Sequence, residues 1–279
     1  MHSLQHLIDL GLAEDIGSGD ITTDSLVDPE ITGFGDIVAK EDLVLAAVDV
    51  ARRVFQTLDE AAVFTPDFQD GDRVAAGARV LRVEGRLRAL LKGERTALNF
   101  LQRLSGIATQ VRSFAEALEG RSVRLVNTRK TAPGWRVLEK DAVRMGGAYN
   151  HRMGLYDGVL IKDNHIAVCG GIREAVNRAR KGASHLVKIE VEVTDLAGVR
   201  EALNAGADVI MLDNMDDGSI REAVGMVQDR ALVEVSGGVT RADLIRLADL
   251  GVDIISSGAL THSARSVDLS MRIQGGDAP

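Results

Sequence analysis

Aromatic side chains are scarce: they make up 3% of the 279 residues, with a single tryptophan and two tyrosines. The core must therefore be aliphatic. The formal net charge is -8, and aromatic-basic clusters are absent. Both features argue against nucleic-acid binding, which needs a basic footprint. The one cysteine, Cys169, excludes an internal disulfide and suits a reducing cytoplasm. It is expected as a small packed hydrophobe rather than a nucleophile. Long apolar runs are also missing. Residues 43–48 are typical of the longest, far short of the roughly 20 residues that cross a bilayer. The first fifteen residues, MHSLQHLIDLGLAED, are interrupted by acids and do not read as a signal peptide. Leu4, Leu7, Ile8 and Leu12 share one helical face instead. No GxGxxG follows a strand, and there is no P-loop, GxSxG or HExxH.

What is present is alternation. Apolar, strand-like runs fall at 123–127, 158–161, 186–193, 208–212, 232–235 and 252–256. Helix-patterned stretches lie between them at 172–181, 196–205, 219–228 and 241–250. This spacing predicts βα units with parallel strands. Six such units closing on themselves give a barrel, and an open doubly wound sheet is the second choice. In the run Val187-Lys188-Ile189-Glu190-Val191-Glu192-Val193, the period of two places Lys188, Glu190 and Glu192 on one face. That polar face is expected to point into the barrel, with an edge strand as the alternative. The first hundred residues differ. Short strands are expected at 35–39, 43–48, 73–75 and 79–83, with helices at 49–58 and 86–104. The turn-rich DGDRVAAGARVLRVEG has no lysine at a hairpin tip, which argues against lipoyl or biotin carriage. A smaller α+β domain joined to the barrel by a long helix results. On that helix Arg95 shares the face of Leu91 and Leu98. It is expected to be half-buried, either paired within the fold or reaching a ligand or partner subunit.

The charges are unevenly placed. Residues 127–165 hold seven cations (Arg129, Lys130, Arg136, Lys140, Arg144, Arg152 and Lys162), two histidines and four acids. Arg129, Lys130 and Lys162 follow strand-like runs, and His151 with Arg152 lies on the connection between them. Arg136, Lys140 and Arg144 sit at near-helical spacing and read as structural. The later strands end in Asp213-Asn214, Ser236-Gly237-Gly238 and Ser257-Gly258-Ala259. Reactive groups and glycines at strand C-termini are where α/β barrels place their sites. The two glycine loops let backbone N–H groups approach a phosphate, each running into a helical stretch. Arginines grip carboxylates bidentately, and lysines act as compact charges. Glu192 and Asp213 offer hard oxygen donors for Mg²⁺ beside phosphates.

The ordered motifs TRKTAPGWRVLEK, NHRMGL, LIKDNH, EVEV, MLDN, EVSGG and ISSGALTHS, preceded by AEDIGSGDITT and ERTALNFLQRLSGIAT, resemble the quinolinate phosphoribosyltransferase family. The likeness runs from about residue 10 to residue 262. It implies an N-terminal α+β sandwich domain at 1–108, with a tail at 266–279 packing on it, and an incomplete (β/α) barrel at 109–265. It implies transfer of a phosphoribosyl group from phosphoribosyl pyrophosphate to quinolinate, giving nicotinate mononucleotide, pyrophosphate and CO₂, with Mg²⁺, in NAD biosynthesis. It also implies a homodimer, open to further assembly, in which Arg95 completes the neighbouring site. By resemblance, Arg129, Lys130, His151, Arg152 and Lys162 form the quinolinate pocket, and Thr128 is a further substrate-binding residue. Glu192 and Asp213 approach the ribose hydroxyls and metal. Ser236, Gly237, Gly238, Ser257, Gly258 and Ala259 hold phosphate, with His262 nearby. Lys130, Lys162, Glu192 and Asp213 are the expected catalytic set.

Asn127 stands where this family often has Asp, Trp135 where Leu is common, and Asp141 where Tyr is common. Three alternatives share the features read so far. One is the related group encoded with molybdate transporters, and a second is nicotinate phosphoribosyltransferase, which handles one carboxylate. The third is a phosphosugar isomerase or aldolase, for which Lys162 or Lys188 would need apolar surroundings.

Overall fold

The computed structural model describes residues 2–275. Residue 1 and residues 276–279, the end of the expected tail, lie outside the described residues. In chain order the elements are α1 (His2–Ile16), α2 (Ile21–Leu26), β1 (Thr32–Ala39), β2 (Leu43–Val44), α3 (Val48–Leu58), β3 (Val63–Pro66), β4 (Arg73–Val74), β5 (Arg79–Arg86) and α4 (Leu87–Ala117). They continue with β6 (Arg124–Val126), α5 (Arg136–Met145), β7 (Val159–Ile161), α6 (Asp163–Cys169), α7 (Ile172–Gly182), β8 (Ile189–Val193), α8 (Leu196–Ala205) and β9 (Val209–Asp213). The remainder are α9 (Asp217–Val227), β10 (Leu232–Ser236), α10 (Leu244–Ala248), β11 (Ile254–Ser256), α11 (Ala259–His262) and β12 (Leu269–Gly275). Among the described residues no helix is long and apolar enough to cross a membrane. The chain divides into two compact units.

The first unit comprises residues 2–112, 144–147 and 264–275. Its sheet runs β12-β1-β5-β3, antiparallel throughout, beside a small β2-β4 pair. The alternation in β1 buries Ile37 and Ala39. It turns Asp36 to the other face, opposite Arg82 of β5. The Arg82 Nε and Nη2 donate to the two Asp36 oxygens at 2.7 and 2.8 Å, and the guanidinium stacks on Phe34 at 3.9 Å. Helix α4 is longer than the 86–104 the pattern predicts. Its interior Gly106 reads as a weak point, yet a Cβ there would meet the Arg265 carbonyl oxygen at 2.0 Å. Glycine is present because the returning chain crosses that turn. The strand expected over 43–48 shrinks to β2, because the Ala46 N–H leaves the ladder for the Ser105 hydroxyl at 3.0 Å and Ala47 takes a left-handed conformation, φ 75°.

Arg95 is exposed, not half-buried. The buried stripe of α4 runs through Leu90, Ala97, Leu101, Leu104 and Ala108, at the i, i+3, i+4 spacing of one helical face. Position 95 falls outside that stripe, although Leu98 beyond it is buried.

The second unit comprises residues 113–143 and 148–263. Its six strands are all parallel, in the order β6-β11-β10-β9-β8-β7. Strands β7 to β11 neighbour one another in chain order. A doubly wound sheet would reverse its order about a switch point, and this one does not. Strands β6 and β7 end the series unpaired with each other, so the barrel is incomplete. Strand β8 is interior, between β7 and β9. Its apolar side chains Ile189, Val191 and Val193 are buried, and α7 and α8 pack on it. Lys188 precedes the strand and is exposed. Cys169, at the end of α6, is half-buried rather than packed away.

The two kinds of helical glycine make a paired test. Gly106→Ala must displace backbone and is expected to lose roughly 1–3 kcal/mol, as overpacked sites do. Gly225→Ala on α9 meets nothing within 4 Å and should be neutral or gain up to about 1 kcal/mol from helix propensity. Denaturant unfolding of the two variants checks both; equal effects would remove the close-approach explanation for Gly106.

Candidate active site

A cavity of about 440 Å³ opens within the second unit, inside the roughly 300–1,000 Å³ span of small-molecule sites. It lies at the C-terminal ends of the parallel strands. Thr128, Arg129 and Lys130 enter it after β6, and Lys162 after β7. Glu192 comes from β8, Asp213 from β9, and Ser236, Gly237 and Gly238 from the end of β10 and its turn. His151 and Arg152 arrive from the loop before β7. Strand direction explains the convergence: each parallel strand delivers the residues that follow it to the same rim. Asn214, Glu234, Ser256, Leu160 and Met211 also line the cavity. Of these, Glu234 carried a readable signal, since LVEVS repeats the buried alternation of IEVEV.

The last glycine loop contributes differently from expectation. The Ser257 N–H donates to the Val126 carbonyl at 3.0 Å, and its hydroxyl to the Val239 carbonyl at 2.8 Å. Both groups are committed to the fold. Ser257, Gly258, Ala259 and His262 do not line the cavity. Gly258 instead leaves room for Lys130, whose Cδ would lie 2.8 Å from an added Cβ, and for the His262 ring at 3.0 Å. Only one turn of helix, α11, follows this loop, and β10 leads into a 3₁₀ turn at Arg241–Asp243. The 3₁₀ turn continues into α10, so the helical stretch expected after the first glycine loop is present but short. The turn at 237–238 still suits an anion. Gly237 and Gly238 have φ of 100° and 59°, and successive N–H groups in such a turn form an anion-binding concavity. A Cβ on Gly237 would also strike the Asn214 side chain at 2.2 Å.

The basic loops are braced from behind. The Thr128 hydroxyl accepts the Lys130 N–H at 3.1 Å, shaping the turn. The Arg136 guanidinium donates to the Thr131 hydroxyl, the Met153 carbonyl and the Arg129 carbonyl. Arg152 Nη1 donates to the Gly158 carbonyl at 3.0 Å. Burial, followed by the Arg129 charge, lowers the Arg152 pKa, so this cation is held where an anion would relieve it. Lys162 is the N-cap of α6, its N–H donated to His165 Nδ1 at 3.0 Å. Its ammonium pairs with the Glu192 carboxylate.

Beneath the cations lies an acidic layer. His151 Nε2 is 3.0 Å from Glu190 and 3.7 Å from Glu234. Both acids are buried, Glu234 at 2% exposure. Burial first, then the Glu190 charge, raises the Glu234 pKa to about 7. Burial alone would lower the His151 pKa, but the Glu190 hydrogen bond and the two acid charges outweigh it and raise it. Yet the Arg152 N–H points at His151 Nδ1, 2.8 Å away, and needs a lone pair there. The geometry therefore describes the Nε2–H tautomer, donating to Glu190. These three residues have metal-ligand spacing. A ligating histidine, however, normally donates its second N–H outward, the reverse of what Nδ1 does here. Glu192 and Asp213, at the ends of neighbouring strands and facing the cavity, are the oxygen donors better suited to a partly hydrated Mg²⁺.

Comparison with known proteins agrees across the whole chain. The family model described as quinolinate phosphoribosyl transferase, N-terminal domain, matches residues 20–105, and the C-terminal domain model matches residues 107–272. The probable nicotinate-nucleotide pyrophosphorylase (carboxylating) of Bacillus subtilis is 44% identical over 270 residues, 97% of this chain and 93% of that protein. The protein of the same description from Synechocystis is 44% identical, covering 94% of this chain and 90% of its own. The crystal structure of NadC from Streptococcus pyogenes superposes with a TM-score of 0.95 at 42% identity, covering 99% and 98% of the two chains. The chain belongs to the quinolinate phosphoribosyltransferase family.

Proposed function

We propose that the protein transfers the phosphoribosyl group of phosphoribosyl pyrophosphate to quinolinate, releasing pyrophosphate and CO₂ and forming nicotinate mononucleotide for NAD synthesis. The supporting observation is the single cavity in which Arg129, Lys130, Arg152 and Lys162, with His151, face the glycine turn at 237–238. Quinolinate carries two adjacent carboxylates, and four cations with a histidine can neutralise both. A one-carboxylate substrate would leave cations repelling one another. An aldolase lysine needs apolar surroundings to lose its proton, and Lys162 is instead paired with Glu192.

In this reading Arg152 and Arg129 grip the carboxylates, and His151 forms the wall between them and the acidic layer. The N–H groups of residues 237 and 238 receive phosphate. Mg²⁺ would be held by Glu192 and Asp213 together with water and the pyrophosphate, and would supply charge neutralisation to the leaving group. Glu192 and Asp213 also stabilise positive charge developing on the ribose. Aligning the pyridine nitrogen with the ribose carbon accounts for much of the acceleration, since orientation alone contributes about 7–11 kcal/mol in well-fixed systems. Loss of CO₂ then follows because the quaternised ring nitrogen accepts the electrons left behind.

The functional unit we propose is a homodimer in a reducing cytoplasm, with Arg95 reaching the partner's cavity. Arg95 is exposed. Leu155, Tyr156 and Val168 leave large apolar surfaces open, at 73%, 81% and 85% exposure.

Purified protein supplied with Mg²⁺, quinolinate and phosphoribosyl pyrophosphate should release CO₂ and form nicotinate mononucleotide. Turnover with nicotinate but not with quinolinate would overturn the substrate assignment. Arg152→Ala should raise KM for quinolinate on the order of 10–100-fold, the range for a lost hydrogen bond to a charged group, with a much smaller change for phosphoribosyl pyrophosphate. Equal losses for both substrates would move Arg152 out of the carboxylate clamp. Mixing inactive Arg95→Ala subunits with inactive Lys162→Ala subunits should restore part of the activity. If mixed dimers form and none returns, Arg95 serves its own chain.

A further inference from the structure

The least exposed cation of the second unit is not in the cavity. Lys140, on α5, is completely buried. Its ammonium donates to three acceptors: Asn127 Oδ1 at 2.7 Å, the His151 carbonyl at 2.8 Å and the Arg152 carbonyl at 2.9 Å. An ammonium has three N–H donors, so each one is used. All three acceptors are neutral, whereas a buried lysine is usually paired with an acid. Asn127 is itself fully buried. Its Oδ1 also accepts the His151 N–H at 3.1 Å, its Nδ2 donates to Asn150 Oδ1 at 2.6 Å, and its N–H bonds the Tyr149 carbonyl. The node therefore ties the residue just before Thr128 to the backbone of His151 and Arg152.

We propose that Lys140 is a positioning residue for the dicarboxylate clamp: its three N–H groups fix the backbone that aims His151 and Arg152, and its charge, unneutralised by any direct partner, adds to the attraction for a dianion. This inference rests on the reading of the cavity as a quinolinate site. Near-helical spacing with Arg136 and Arg144 shows that Lys140 lies on a helix face; it does not show that the face looks onto the back of the clamp.

The arrangement makes clamp geometry depend on one proton. Burial, with repulsion from Arg136, lowers the Lys140 pKa to about 8; Asp157 opposes this and Arg129 adds to it. The raised His151 pKa is in turn held back by Lys140. Once deprotonated, Lys140 has two N–H groups for three acceptors, and one of the three is released. Stability moves the other way. Above about pH 8 the folded chain has lost this proton, while the unfolded chain keeps it to the ordinary value of 10.5. In that window the unfolded state binds more protons, so this group's contribution to stability rises with pH. Weakened quinolinate binding from Lys140 therefore comes without a loss of stability from the same group.

The test is the pH dependence of both Michaelis constants in the full protein with Mg²⁺. For the unmodified enzyme, KM for quinolinate should climb up to tenfold per pH unit above about 8, while KM for phosphoribosyl pyrophosphate changes little. Asn127→Asp places a carboxylate against the ammonium and should move that rise upward by a unit or more, because an adjacent opposite charge favours the charged lysine. A rise that stays in place in Asn127→Asp overturns the proposal, as does its absence in the unmodified enzyme. No turnover of the unmodified enzyme at any pH counts instead against the proposed reaction. Should Asn127→Asp fail to fold, the Lys140 side chain can be followed by NMR in the unmodified protein. Saturating quinolinate should raise its pKa, since coupling is reciprocal; an unmoved titration also overturns the proposal.

Discussion

Parallel alignment is the constraint from which the rest of the catalytic unit follows. Six strands running the same way place six separate stretches of chain at one rim. Hydrogen bonding between neighbours fixes the register: Glu192 stands beside Met211, and Asp213 beside Ser236. The side-chain period of two then decides which residues face inward. No local segment could form this cavity, because its lining spans residues 128 to 256.

The charges are layered along the barrel. Exposed or half-exposed cations occupy the rim, with the Glu190, His151 and Glu234 layer beneath and apolar Val191, Ile210 and Val233 buried in the same sheet. The acids lie close enough to the cations to limit their mutual repulsion, yet Glu234, with its pKa near neutrality, does not fully cancel them. An arriving dianion thus meets a surplus of positive charge on groups already held in place, which need little reorganisation to receive it. Lys162 is the exception, because its direct partner Glu192 shares it with the substrate site.

Much of this could be read from the sequence. Strand-end positions identified Arg129, Lys130 and Lys162, since strand periodicity gives both direction and exit point. The matched SGG and SGA loops looked equivalent but are not. A tripeptide reveals glycine's freedom, and says nothing of the Val126 and Val239 carbonyls that occupy Ser257. Arg95 is exposed where half-burial is expected, because two apolar neighbours at helical spacing do not fix which stripe the helix buries. Glu234 has a signal in the alternation of LVEVS, but alternation alone does not separate an inward acid from one on a wet face. The local sequence of strand β12 does not place it, because its partner β1 lies at the far end of the sequence.

That last pairing sets a schedule. Ala39 is joined to Leu269, and Gly33 to Gly275, so one edge of the first sheet waits for residues translated after every strand of the second unit. Such a contact has nearly the greatest sequence separation the chain allows, and non-local closure of this kind is slow. On the ribosome, β1 must exist with one flank unsatisfied while the parallel sheet is being made. Gly33 and Gly35 on that strand, where an added Cβ would meet the Gln274 carbonyl oxygen and the Met271 side chain, keep the flank open for the late arrival.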